Sequence, residues 1–218
     1  MADSFQTLQT EIATAAHNLR EPLRTIRCYV DLLAEEPDQS VLCIDRIRQG
    51  TERLETLIQG IFECLQMPES FRPQRVAMNL VQLNAVSRLP EADRSCVTSD
   101  DLPSVMGDFE ILTEVFSRMI DNALKFRRGE FAQLHISASP EPLSTAWRFA
   151  FRDQGIGVKE ADWERCFGLF ERLHSREAPG EGIGLAYCRR AIELHGGRIR
   201  MESAPGVGTT IFFTLPAL

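Results

Sequence analysis

A chain of 218 residues that is 44% hydrophobic can build one sizeable core, or a small helical module plus a compact domain. Its net charge of −7 excludes a general nucleic-acid surface, which needs clustered positive charge. No apolar run approaches the ~20 residues of a membrane-spanning helix, and no signal-peptide pattern opens the chain. Cys28, Cys43, Cys64, Cys96, Cys166 and Cys188 are scattered without a paired or metal-type spacing. They read as reduced, mostly buried thiols, so a cytoplasmic protein is expected.

Residues 4 to about 35 read as one long helix, with Leu8, Ile12, Ala15, Leu19, Ile26, Val30 and Leu33 recurring at helical steps. Pro37-Asp38-Gln39-Ser40 marks a turn, with Ser40 a candidate cap for the next helix. In that second helix Ile44, Ile47, Thr51, Leu54, Ile58, Ile61 and Leu65 alternate by three and four, a heptad seam that ends at Pro68. Two such helices cannot bury both seams alone, so a homodimer forming a four-helix bundle is expected. The bland alternative packs the stripe against the rest of its own chain.

The expected domains are a hairpin over 1–67, a linker over 68–75 and a second domain over 76–218. In the last, strands are predicted near 76–79, 95–98, 132–139, 146–153, 198–203 and 209–215. Helices are predicted near 81–88, 108–127 and 184–195. Residues 155–182 show no clear strand, several charges and five glycines, and read as a lid bordering a site. The absence of strict strand–helix alternation predicts an α+β sandwich.

His17 lies between the core positions of the first helix and should face outward, with Arg20, Arg24 and Arg27 on the same face. Imidazole is a good nucleophile near neutral pH, and the arginines suit a phosphate or an acidic partner. A lone histidine is more often an ordinary surface residue. Pro22, inside the helix, removes the hydrogen bond to the Asn18 carbonyl, a cost more easily understood beside a working site. Further on, Asn122 offers an uncharged oxygen suited to Mg²⁺, and Lys125 follows three residues later. Asp153 ends a predicted strand before Gly155 and Gly157, where a carboxylate can accept from an amino group such as adenine's. Gly180, Gly182 and Gly184 lead into a helix whose amides suit phosphate oxygens. Neither glycine box is a Walker motif or a dinucleotide fingerprint. His135, His174 and His195 lack metal-type spacing with Cys or carboxylates, and no nucleophile elbow is present.

As a set these motifs resemble the two-component sensor histidine kinases, most of all the cores found behind phytochrome or PAS-type sensors. The resemblance runs from about residue 5 to 216. His17 to Leu23 matches the histidine box, Glu114 to Phe126 the asparagine box, and Asp153–Gly157 with Gly180–Leu185 the glycine boxes. Phe167 to His174 matches the aromatic box, and the stretch from His195 through Thr209 the family's ending. The resemblance implies a dimeric hairpin bearing the phosphoacceptor. It also implies an ATP domain of the kind shared with chaperone ATPases and type II topoisomerases. By it, His17 receives the γ-phosphoryl group, Asn122 binds Mg²⁺, Lys125 the phosphates and Asp153 the adenine amino group. Gly155, Gly157, Gly180, Leu185 and Arg172 belong to the ATP site, Gly182 and Gly184 line its phosphate region, Thr209 lies near the adenine, and Arg172 and His174 lie in the lid. The implied partner is a response-regulator receiver domain.

Three residues depart from the family pattern. Asn18 replaces the acid that usually follows the histidine, Arg118 stands where a further Asn is common, and Glu21 occupies a position linked to phosphatase activity when small and polar. Asn18 is expected to weaken autophosphorylation, and Glu21 to disfavour strong dephosphorylation of a partner. Only sixteen residues precede His17, so sensing is expected in a separate or missing domain. Two other readings stay open: a nucleotide-binding pseudokinase or dimeric phosphotransfer scaffold, and a serine kinase or ATPase with the same ATP fold.

Overall fold

The structure, a computed structural model, describes residues 2–65, 71–129, 133–142, 144–171 and 182–218, and side chains from Thr14 to Glu63 in the first of these stretches. Two compact units divide the chain, Met1–Gln66 and Met67–Leu218.

The first unit is a hairpin of α1 (Ala2–Glu35) and α2 (Ser40–Leu65). A 3-10 turn over Pro37–Gln39 joins them. Ser40 does not cap α2 as expected. It already has helical dihedrals, and its amide donates to the Pro37 carbonyl, so the turn runs straight into the helix. The row of α2 that packs most closely was also not the predicted seam. Cys43, Gly50 and Leu57, seven residues apart, are buried, as is Gly60. A Cβ on Gly50 would lie 2.7 Å from Ile26 Cγ1 and 3.5 Å from the Pro22 carbonyl oxygen, so glycine sets the approach of the helices beside the buried Pro22. Small residues permit close packing yet add little to an apolar periodicity. Of the seam itself, Ile47, Leu54 and Ile61 are half-buried, whereas Ile44 (58% exposed), Thr51 and Ile58 (41%) face out. On α1, Leu19, Ile26 and Leu33 are half-buried and Val30 is exposed. A salt bridge of 3.0 Å joins Arg53 to Glu21 across the pair.

The second unit is an α/β sandwich. A five-stranded sheet has the order β2 (Val97–Ser99), β4 (Leu134–Pro140), β5 (Ala146–Asp153), β7 (Gly208–Pro216), β6 (Ile199–Ala204). Only the β2–β4 pairing is parallel. A separate antiparallel pair joins β1 (Gln74–Ala77) to β3 (Ser104–Gly107). The helices are α3 (Met78–Ser87), the short α4 (Glu91–Arg94), α5 (Phe109–Lys125) and α6 (Gly184–Leu194). The strand predicted at 76–79 therefore lies at Gln74–Ala77, and β3 and α4 were not foreseen. Both are only four residues long, and β3 exists through its distant partner β1 rather than through a periodicity of its own.

Alternation within the large sheet turns Leu134, Ile136, Phe149, Phe151, Ile211, Phe213 and Leu215 inward. They meet the apolar face of α5, where Ile111, Leu112, Val115, Phe116, Met119, Ile120 and Ala123 are buried. Phe116 stands edge-on to Phe151, with ring centres 4.8 Å apart, while Phe149 and Phe213 stack at 5.0 Å. Asp108 caps α5 by accepting from the amides of Glu110 and Ile111 at 3.1 and 3.3 Å.

His195 ties α6 to that cap. It is 5% exposed, its Nε2 accepts the Asp108 amide hydrogen at 3.0 Å, and its Nδ1 lies 2.7 Å from the Ala191 carbonyl oxygen. Nδ1 thus carries the hydrogen, and Nε2 is free to accept only while the ring is neutral. Burial holds its pKa below the ordinary 6.5. The folded pKa is depressed, so the unfolded chain binds a proton first as pH falls, and stability contributed above pH 6.5 is lost below it. The second unit should unfold at a lower temperature at pH 5 than at pH 7. That loss should shrink in His195→Gln, which keeps an acceptor but does not titrate; an equal loss in both proteins would exclude His195 as the cause.

No described helix is long and apolar enough to cross a membrane. Cys28, Cys43, Cys96, Cys166 and Cys188 are free thiols. Burial, the largest influence, pushes the Cys166 thiol up to about 11.

Candidate functional site

His17 is exposed on α1, with Arg20, Arg24 and Arg27 also exposed. The next residue, Asn18, is half-buried and its amide nitrogen donates to the Thr14 carbonyl at 2.9 Å. That bond is available to an amide and not to a carboxylate, and it directs the NH₂ group back along the helix.

In the second unit, Asp153 closes β5. Its Oδ1 accepts the amide hydrogens of Gly155 at 2.8 Å and Thr209 at 3.0 Å. Among the described residues, Oδ2 has no hydrogen-bond partner, so one carboxylate oxygen is anchored and the other is left to accept. Burial raises the pKa of this carboxyl, and the two amide bonds partly offset the shift.

The loop after Asp153 is clamped between two other segments. On one side it meets the end of α5. Ile156 donates to the Phe126 carbonyl at 3.0 Å, and Arg127 forms a bridge with Gly155. A Cβ on Gly155 would lie 2.6 Å from the Phe126 oxygen, so the close approach requires glycine. On the other side lies the turn between β6 and β7. Gly206 donates to the Ile156 carbonyl at 2.6 Å, and Val158 donates to Ser203 Oγ at 2.8 Å. Arg128, just after α5, donates to the Gly206 carbonyl. Gly157 has φ +71°, and a Cβ there would fall 1.9 Å from the Ala204 oxygen.

These contacts bring the end of α5, which carries Asn122 and Lys125, to the loop that carries Asp153. Asn122 is half-buried, and its side-chain amide makes no hydrogen bond among the described residues. Lys125 is exposed, with its ammonium 5.4 Å from the Phe126 ring centre. Arg118 is turned elsewhere. Its Nε donates to Glu114 at 2.7 Å, and its guanidinium lies 4.3 Å over the Tyr187 ring. The carboxyl of Asp121 is raised by burial and by Glu114, with Arg118 opposing.

The helices α5 and α6 run antiparallel. His195 meets Asp108, Cys188 Sγ meets the Val115 carbonyl at 3.7 Å, and Tyr187 meets Arg118. This antiparallel pairing puts the N-terminus of α6 at the same end of the sandwich as the end of α5 that holds Asn122. The residue before α6, Ile183, makes no side-chain cap, and among the described residues no side chain caps the first amides of α6. Leu185 is half-buried in the first turn of that helix. A Cβ on Gly184 would meet nothing within 4 Å. By contrast, Gly182 has φ +71° and a Cβ there would fall 2.6 Å from the Glu171 oxygen, while its carbonyl accepts from the Phe170 amide at 2.8 Å. Phe170 itself holds φ 65°, a left-handed conformation that costs a bulky residue about 1–3 kcal/mol. Arg172, His174 and Gly180 lie outside the described residues.

The structure thus brings Asn122, Lys125, Asp153, Gly155, Gly157, Gly182, Gly184, Leu185 and Thr209 to one end of the sandwich. Sequence reasoning missed Ser203, the Phe126 carbonyl and Arg128. None belongs to a glycine box, and although Phe126 and Ser203 fall within the asparagine box and the family's ending, nothing in those motifs singles out their contacts.

A mixed sheet backed by antiparallel helices, with a half-anchored carboxylate and a helix N-terminus without a side-chain cap at one end, defines a nucleotide-binding sandwich preceded by a helical hairpin. The chain belongs to the histidine kinase-, DNA gyrase B- and HSP90-like ATPase family, whose model matches residues 107–218. Residues 7–66 match the His Kinase A (phospho-acceptor) domain, so the two units form a histidine kinase catalytic core with an ATP-binding domain. The chain is 37% identical to cyanobacterial phytochrome A of Nostoc sp. and 33% identical to the phytochrome-like protein Cph1 of Synechocystis sp., over 93% of its length in each case. It spans only 28% of either relative. In fold it is similar to the histidine kinase ThkA, solved in complex with the response regulator TrrA, with a TM-score of 0.71 and 20% identity over 100% of this chain and 64% of that one.

Proposed function

We propose that this chain is the catalytic core of an ATP-dependent protein histidine kinase that phosphorylates His17 and passes the group to a receiver-domain aspartate. The observation that carries the proposal is the Asp153 carboxylate, anchored through Oδ1 and open at Oδ2, at the same end of the sandwich as Asn122 and the N-terminus of α6. Asp153 would accept from the adenine amino group, the α6 amides would hold phosphate oxygens, and Lys125 would neutralise phosphate charge. Asn122 fits a Mg²⁺ ligand through its amide oxygen. No group of three His, Cys, Asp or Glu residues placed to hold a metal ion lies among the described residues. When bound, Mg²⁺ supplies further neutralisation of phosphate charge. Arg172 and Gly180 are assigned to ATP binding by resemblance alone.

At His17 the neutral imidazole attacks the γ-phosphorus. A P–N bond forms as the P–O bond to ADP breaks, and positive charge develops on the ring. Asn18 presents an amide there, which can accept the ring N–H but brings no negative charge. Exposed Leu23 and Val30 on α1, with Val41, Ile44, Ile58 and Phe62 on α2, support a homodimer that buries these rows in a four-helix bundle. The free thiols support a reducing, cytoplasmic setting.

Incubation with γ-labelled ATP and Mg²⁺ tests the proposal. Acid-labile label is expected on the native chain and not on His17→Ala, and Asn18→Asp should label faster. Equal labelling of His17→Ala would remove His17 from the reaction, and an unchanged rate in Asn18→Asp would sink the charge argument. Absent label with ATP still bound would favour the pseudokinase or phosphotransfer scaffold, the reading to which Asn18 and Arg118 lend support.

A further inference from the structure

The geometry points to Ser203 as a positioning residue that sets the purine selectivity of the site, by orienting the Thr209 hydroxyl as an acceptor toward the base. This role presupposes the adenine-nucleotide site proposed above.

Ser203 is half-buried on β6, and three polar groups surround its Oγ. They are the Val158 amide at 2.8 Å, the Gly208 carbonyl at 2.9 Å and Thr209 Oγ1 at 3.0 Å. A hydroxyl has one hydrogen and two lone pairs. The Val158 amide can only donate, and the Gly208 carbonyl can only accept. The Ser203 hydrogen therefore goes to Gly208, one lone pair receives Val158, and the other is left for Thr209, whose hydroxyl must donate.

That assignment commits the single hydrogen of Thr209 to Ser203, so Thr209 Oγ1 offers only lone pairs to a ligand. The amide of the same residue is bound to Asp153 Oδ1, which places Thr209 beside the carboxylate. The site then presents two acceptors and no hydroxyl donor to the edge of a base. An exocyclic amino group, as on adenine, matches this pattern. A carbonyl at the same ring position, as on hypoxanthine or guanine, faces lone pairs with lone pairs. Without Ser203, the Thr209 hydroxyl is free to rotate and donate, so the penalty against a carbonyl should fall. Ser203 touches no ligand in this scheme and acts through Thr209.

The test is calorimetric titration of ADP and IDP into the full chain, as wild type, Ser203→Ala, Thr209→Val and the double variant, with thermal unfolding run in parallel. Wild type should prefer ADP. Each single variant should lower the ADP/IDP affinity ratio by about tenfold, the scale of one hydrogen bond. The double variant should lower it no further than Thr209→Val alone, because Ser203 works through that hydroxyl. A folded Ser203→Ala with the wild-type ratio overturns the role, as do single effects that multiply in the double variant. Should Ser203→Ala not fold, an unchanged ratio in Thr209→Val overturns it instead. Wild type that binds neither nucleotide overturns the nucleotide site itself and this role with it.

Discussion

Asp153→Asn is expected to lower ADP affinity by about a hundredfold while leaving the second unit at least as resistant to heat as wild type. The two halves of this expectation come from the two carboxylate oxygens. Oδ1 accepts from the amides of Gly155 and Thr209, and an Asn oxygen can accept both bonds in the same place. The substituted amide would then turn its NH₂ group to the position of Oδ2, where it opposes the amino group of adenine with hydrogens. The stability argument follows from the raised pKa of Asp153, whose ordinary value is 3.8. A carboxyl whose folded pKa is raised contributes stability at low pH that is lost as pH rises through the folded value. At neutral pH the buried charge costs stability, and Asn carries no such charge. Calorimetry with ADP and thermal unfolding at pH 7 read the two effects separately. Retained affinity would remove Asp153 from base recognition, and a joint fall in affinity and unfolding temperature would make it a structural residue.

Gly157→Ala should do the reverse and strike the fold itself. The backbone there has φ +71°, which costs a non-glycine residue about 1–2 kcal/mol. The added methyl would lie 1.9 Å from the Ala204 oxygen and 3.2 Å from that of Gly208, and both neighbours are backbone rather than yielding side chains. Overpacking adds about 1–3 kcal/mol, so a drop in unfolding temperature of roughly 5–15 °C is expected, with nucleotide binding lost alongside. Gly184→Ala is the contrast. Its methyl meets nothing within 4 Å and sits in a helix, so unfolding should be unchanged or raised, and any loss of ADP affinity would report the phosphates. Equal unfolding temperatures for Gly157→Ala and wild type would show that the loop can move off the β6–β7 turn at little cost.

The glycines separate what is local from what is not. A left-handed turn or an open helix start is written in adjacent residues, so the boxes at Asp153–Gly157 and Gly180–Leu185 were legible before any fold was known. The reason for each glycine was not. Gly155 is shaped by the Phe126 carbonyl and Gly157 by Ala204, partners far away in sequence. The same division holds for the elements. The long helices and the strands β4, β5 and β7 carry periodicities of their own, whereas β3 depends on pairing with β1.

By itself, then, the sequence determined the order of a helical hairpin and an α+β sandwich, the outward placement of His17, and the residue types able to handle ATP. These rest on periodicity, turn chemistry and motif spacing, all of which act over a few neighbouring residues. Only the tertiary structure decided that Cys43, Gly50 and Leu57 form the close seam of the hairpin, that neutral His195 joins the ends of α5 and α6, and that Ser203 directs the hydroxyl of Thr209. Each of these depends on which distant groups meet at hydrogen-bond or van der Waals distance. Small or polar residues in such places leave no periodic trace, because their effect comes from the space and partners around them rather than from their own hydrophobicity.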